Sequence, residues 1–176
     1  MIAAVKDENG LAACIACEET EIVFILYGDI CSIGKIVNTV KRAGKTAIVH
    51  IDLIDGLMSK ESSVEFIKEY TAADGIISTK PLMVNKAKEL GMYAVLRVFI
   101  LDSMAFENIK KQLKSVRPDA LEILPGLMPK IIQRVSRIAK VPIIAGGLIS
   151  EKDDVISALS AGAGCVSTTN RTIWNV

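Results

Sequence analysis

The sequence predicts an α/β protein: a compact (βα)8 TIM-type barrel with short loops and a truncated last helix. Three observations lead there. Short runs rich in Val and Ile alternate with longer amphipathic stretches along the chain, the pattern of parallel strands joined by right-handed helical crossovers. These runs number eight. Two of them, AVLRVFI and ALEILP, hold an isolated charge among apolar neighbours, which suits one end of a barrel better than a sheet buried on both faces. An open doubly wound sheet is the competing architecture. At 176 residues the chain falls below the roughly 200–250 residues usual for such barrels. Every loop must therefore be short.

The elements follow in order. The first strand is expected over Met1–Val5, ended by Lys6, Asp7 and Glu8. A small helix over LAACIACEE follows, then the second strand, Glu21–Leu26. Ile33, Ile36, Val37 and Val40 mark the apolar face of the next helix, which Gly44 closes. The third strand spans Thr46–Asp52 and the fourth Gly75–Lys80, with Pro81 opening a helix that ends at Gly91. Tyr93–Ile100 is the fifth strand, followed by a helix with Phe106, Ile109, Leu113 and Val116 on one face. Ala120–Leu124 is the sixth, and Pro129 opens a helix marked by Ile131, Val135 and Ile138. The seventh strand, Pro142–Gly146, precedes a helix capped by Ser150, with Val155, Ile156 and Leu159 on its apolar face and Gly162 past its end. The eighth strand is Cys165–Thr169. With no linker, charge block or low-complexity segment, residues 1–176 are expected to form one domain.

Composition narrows the function. Apolar residues make up 51% and charged residues 23%, so a packed core is expected and disorder excluded. Twenty-one Lys and Arg against twenty Asp and Glu give a net charge of +1, which excludes a generally basic nucleic-acid coat but not a local patch. Aromatic residues at 5% argue against a stacking platform for single strands. The longest apolar stretches, such as Val141–Ile149, are too short to cross a bilayer, and Met1–Val5 does not read as a signal peptide. A soluble cytoplasmic protein without membrane contact is expected, and a homo-oligomer is left open. Cys14 and Cys17 form a CxxC, but no second CxxC exists and the one His follows another element. They read as part of a helix face, so no metal or cofactor is expected.

Chemistry in such a barrel sits at the carboxyl ends of the strands. There the sequence places Asp52, Lys80, Arg97, Glu122, Gly146, Gly147, Ser167, Thr168 and Thr169. Strand alternation puts His50 with Asp52 on one face, and Ser78 with Lys80. Arg97 and Glu122, on consecutive strands, read either as an internal ion pair or as ligand contacts. Gly146 and Gly147, followed after the next helix by Ser167, Thr168 and Thr169, suit a phosphate site. Glycines let backbone N–H groups approach an anion, and hydroxyls complete its shell.

HIDLIDGL (50–57), DGIISTK (74–80), LDS (101–103), PDALEILPG (118–126), IAGGLI (144–149) and CVSTTNRTIW (165–174) closely resemble the glycerol uptake operon antiterminator regulatory proteins. YGDI (27–30) and AAVKD (3–7) fit as well. Leu96 departs from the polar residue expected before Arg97. The resemblance implies a βα barrel that senses glycerol 3-phosphate and acts on leader mRNA so that transcription continues through a terminator. Lys80 and Arg97 would then offset the phosphate dianion, with Glu122 and Asp52 addressing the hydroxyls. For the RNA, residues 110–140 hold eight Lys and Arg against two acidic residues, most of them on two consecutive helices. Lys110, Lys111, Lys114, Lys130, Arg134 and Arg137 are the candidate contacts. The competing class is a small phosphometabolite enzyme (isomerase, aldolase or lyase), with Lys80 forming a Schiff base and Glu122 or His50 as base. Loops this short leave little material for a lid.

Overall fold

The computed structural model of the chain describes residues 1–175, and Val176 lies outside them. Eight parallel strands close into a barrel in chain order: β1 (Ile2–Val5), β2 (Ile22–Ile25), β3 (Thr46–His50), β4 (Gly75–Ser78), β5 (Tyr93–Phe99), β6 (Ala120–Leu124), β7 (Ile143–Gly146) and β8 (Cys165–Thr168). Helices α1 (Glu8–Ala16), α2 (Ile33–Arg42), α3 (Glu61–Tyr70), α4 (Pro81–Glu89), α5 (Ser103–Ser115), α6 (Pro129–Ser136) and α7 (Lys152–Ser160) follow the first seven strands. After β8 the chain makes a 3-10 turn, Arg171–Ile173, where a full barrel would carry an eighth helix. The predicted truncated barrel is what forms.

Side chains alternate along each strand. Val5, Val23, Val49, Ile76, Leu96 and Leu121 pack outward against the helices, while a second set fills the barrel. The ladder registers, stepped by about one residue per strand as the tilt of such a barrel requires, sort this inner set into layers of four. Ile2, Ile48, Val95 and Ile144 form one layer, and Phe24, Ile77, Glu122 and Ser167 the next. Ala4, His50, Arg97 and Gly146 form the layer above. The lower barrel is apolar, and polarity enters only toward the carboxyl ends.

Two strands stop two residues earlier than the sequence suggests, and β2, β5 and β8 one residue earlier. β3 ends at His50, and the chain coils into a 3-10 turn, Ile51–Leu53. Asp52 therefore does not continue the face of His50. Its carboxylate instead accepts from the Ser78 and Thr79 hydroxyls at 2.8 and 2.9 Å and from the Thr79 N–H at 2.7 Å, and that capture bends the strand end. β4 ends at Ser78, because Pro81 is the first residue of α4 and Lys80 is its cap.

Helix faces show the same mixture. Ile33, Ile36, Val37 and Val40 of α2 are buried as expected, and so are Phe106, Ile109 and Val116, with Leu113 partly so. In α6 the buried pair is Ile132 and Val135; the helix ends at Ser136, and Ile138 beyond it is exposed. α7 turns Val155 and the small Ala158 inward, leaving Ile156 and Leu159 outside. Its cap is Glu151 and not Ser150, because the Asp154 carboxylate accepts the N–H of both at 3.0 and 2.9 Å. Gly44, Gly91 and Gly162 take the left-handed conformation expected past a helix end. Cys14 is buried in α1 with its sulfur 3.7 Å from the Thr20 hydroxyl. Among the described residues no helix is long and apolar enough to cross a membrane.

Trp174 stands in for the missing helix. It is buried in the outer core, and its indole N–H donates to the Thr168 carbonyl at 2.9 Å. Trp174→Ala is expected to cost about 3–5 kcal/mol by leaving a cavity and an unpaired carbonyl, read as a lower midpoint in urea unfolding.

Candidate functional site: the mouth of the barrel

Arg97 and Glu122 lie directly opposite in the β5–β6 ladder, both pointing into the barrel. The Arg97 Nε donates to one carboxylate oxygen of Glu122, and the Ser167 hydroxyl donates to the other. Glu122 is fully buried and Arg97 is 8% exposed. A carboxylate so placed is tolerable only because both oxygens are satisfied and a guanidinium sits beside it. Of the five N–H donors of Arg97, only Nε is bonded to another described residue. Gly146 makes this meeting possible. A Cβ there would stand 2.6 Å from both the Glu122 carboxylate and the Ser167 hydroxyl.

Above this floor opens a cavity of about 430 Å³, lined among others by Arg97, Glu122, Gly147, Ser167, Thr168, Thr169 and Asn170. Its walls are the loops after β7 and β8, which are laced together. The Thr168 hydroxyl donates to the Ile149 carbonyl at 2.8 Å, and the Asn170 side-chain NH2 to the Ser150 carbonyl at 2.8 Å. Thr168 thus holds the wall with its hydroxyl, whereas Thr169 is exposed at the opening. Gly147, at φ +76°, turns the β7 loop so that its backbone passes the cavity; any side chain there would press on Leu124. Leu148, Ile149 and Asn170 also line it, as does Ser150, to which the sequence assigns only a capping role. Apolar and small polar loop residues give no signal until the loop is folded.

Asp52 and Lys80 lie apart from this cavity. Besides the bonds that brace the ends of β3 and β4, Asp52 sits 3.9 Å from the Lys80 amine, which also donates to the Ser59 hydroxyl. Half-burial pushes the Asp52 carboxyl up, but three hydrogen bonds from Thr79 and Ser78 and the field of His50 outweigh it and hold it below its ordinary value. Leu96 faces the helices and is fully buried, so the departure from the family pattern lies outside the cavity. His50 shares the inner layer with Arg97 and is 3% exposed, and no partner is found for its Nδ1. Burial, then the Arg97 charge, push its pKa down to about 4. It is a neutral imidazole at the floor of the mouth.

The basic residues of α5 and α6 form one outer surface. Lys110, Lys111, Lys114, Lys130, Arg134 and Arg137 are all exposed. The Phe106 ring links the two helices, with the Arg134 guanidinium 4.1 Å and the Lys110 amine 5.3 Å from its centre. Below them a groove of about 730 Å³ is lined by Lys110, Lys114, Arg117 and Lys140, among apolar residues and no carboxylate.

Fold and mouth together define a TIM-type barrel with a polar pocket at the carboxyl ends of its later strands. Residues 1–174 match the family model described as glycerol-3-phosphate responsive antiterminator. The chain belongs to that family. It is 44% identical over its whole length to the YgcP protein of Escherichia coli K12, covering 92% of it. It superimposes on the glycerol uptake operon antiterminator regulatory protein of Listeria monocytogenes with a TM-score of 0.93, at 29% identity over 98% of this chain and 93% of that one. A related protein of Thermotoga maritima gives 0.88 at 33% identity over 99% and 97%. Orotidine 5'-phosphate decarboxylase of Pyrococcus horikoshii, at 19% identity and a TM-score of 0.72 over 100% of this chain and 92% of that one, shares the fold alone.

The His50 environment yields a pH prediction. The unfolded chain takes up a proton near the ordinary value of 6.5, while the folded protein resists protonation until about 4. Stability should therefore fall as pH drops through that window. Wild type is expected to lose roughly 2–3 kcal/mol more than His50→Gln between about pH 7.5 and 4.5, measured by urea unfolding of both proteins. Parallel losses would remove His50 as the cause.

Proposed function

We propose that this protein binds glycerol 3-phosphate in the mouth cavity and, when occupied, promotes antitermination in the cytoplasm by binding the leader mRNA of glycerol-utilisation genes. The observation that carries the reading is the cavity floor: an inward guanidinium beneath two loops of glycines and hydroxyls, in a chain of this family. The Gly146–Gly147 and Ser167–Thr169 loops take the phosphate with help from Arg97, and Glu122 accepts from an alcohol. Asp52 and Lys80, apart from the cavity, support the ends of β3 and β4. A cavity of about 430 Å³ lies within the usual range for small-molecule sites. The enzyme reading gains less support, since the Lys80 amine is engaged with Asp52 and Ser59 outside the cavity.

The coupling path is short. Arg97 and Glu122 sit on β5 and β6, the strands that run directly into α5 and α6, which carry the basic strip. A ligand shifts RNA binding only by its differential affinity for the RNA-competent state. Small displacements of these two βα units, from a ligand touching their strand ends, supply such a difference without ligand–RNA contact.

Calorimetry tests the ligand. Glycerol 3-phosphate is expected to bind about 100-fold or more tightly than glycerol, the worth of about two charge-assisted hydrogen bonds; equal affinities would remove the phosphate site. For RNA, replacing Lys130, Arg134 and Arg137 together by Gln should weaken leader RNA binding. It should also lower the salt dependence by roughly 0.7–0.9 per lost phosphate contact, in filter-binding titrations across salt concentrations. Ligand affinity without RNA should not change. Wild-type RNA binding at every salt concentration would place the RNA surface elsewhere.

A further inference from the structure

Exposed large hydrophobic residues are not spread evenly over this barrel. Of fourteen among the described residues, nine lie at the carboxyl-end face: eight on loops or helix starts after β2 to β7, and Phe99 at the last residue of β5. Leu101 and Met104 at the start of α5 are 83% and 75% exposed, Leu148 is 73% exposed, and Leu53, Met58 and Leu82 continue the ring. The opposite face and the helix flanks hold the other five singly or in pairs. Leu148 adds an independent sign. Among the described residues it is the one non-glycine at positive φ, +63°, a conformation leucine adopts only when its surroundings impose it, and here the result is a leucine held out into solvent beside the mouth.

We propose that this apolar rim is an interface with a second copy of the same chain, packed mouth to mouth. Side chains of this kind carry roughly 150–200 Å² each when bare, so nine of them at 42–83% exposure offer on the order of 900 Å². That is comparable with the roughly 800 Å² per partner of a standard interface. A ring around the barrel axis can face its own copy across a two-fold axis, which an isologous contact requires. A net charge of +1 gives two copies little reason to repel. The basic strip on the outer surfaces of α5 and α6 stays open on both copies. The pair supplies the water-excluding cover that short loops cannot. The proposal stands whether or not glycerol 3-phosphate is the ligand.

Sedimentation equilibrium of the ligand-free chain over a range of concentrations tests it. Wild type is expected to dimerise. Leu101→Glu/Met104→Glu should raise the dissociation constant at least tenfold with an unchanged melting curve of the monomer, since both side chains are solvent-exposed in one copy. Ile156→Glu/Leu159→Glu on α7, exposed but away from the rim, should dimerise like wild type. A wild-type monomer at all concentrations overturns the proposal, as does a dimer that survives the rim substitutions or dissociates with the α7 pair. So does a monomer that floats with phosphatidylcholine vesicles through the same leucines, which would assign the rim to a lipid surface.

Discussion

A charge pair inside the barrel governs the arrangement around it. Glu122 has no solvent contact, and Arg97 and Ser167 each donate to one of its two oxygens. An apolar pair would fill the space at no electrostatic cost. What the charges bring instead is position: a guanidinium fixed at one nitrogen is held at the wall of the cavity. The residues nearby follow from that need. Gly146 has no side chain because a methyl group would collide with the pair, and Ala4, in the same layer, keeps the space above open. His50 remains uncharged because it is buried, and then because Arg97 already places a cation at that depth.

The barrel therefore divides its labour by height and by side. Its lowest layer is ordinary apolar packing of Ile and Val. The layers above carry the polar groups, and the β5–β8 half builds most of the cavity, with Ala4 and Leu26 lining the rest. The β1–β4 half is devoted to bracing: Asp52 ties β3 to β4, and Asp29 folds the β2 loop by accepting the N–H of Cys31 and Ser32 at 2.8 Å. The cavity is off-centre because the bracing occupies the other side.

Much of this was legible from the chain alone, for reasons that differ by element. The strands announced themselves because β-branched runs buried on both faces have few alternatives. Arg97 and Glu122 stood out because a charge in such a run must be compensated, and their partnership followed from consecutive strands. The face of α2 was legible since large apolar residues alone line it. In α7 the rule failed, because a small alanine packs against the sheet where space is tight while leucine lies outside. Asp52 was misplaced by strand alternation because a side-chain hydrogen bond to the neighbouring strand ended β3 two residues early. Leu148 gave no sign, since no local pattern reports a leucine in a glycine-like conformation.

One consequence concerns the seam. The barrel closes where β8 meets β1 through just two registered pairs, Ile2 with Ser167 and Ala3 with Thr168, joining residues from opposite ends of the chain. Contacts of such sequence separation carry the largest loop-closure entropy and form late. Ser167 belongs to that seam and also to the Glu122 carboxylate, so the floor of the cavity is completed only when the last strand docks. A chain emerging from synthesis would hold its charged pair incompletely satisfied until then. Competence at the mouth thus works as a proofreading mark that the whole barrel has closed, and any molecule bridging the β7 and β8 loops would act as a clasp on the joint that opens first.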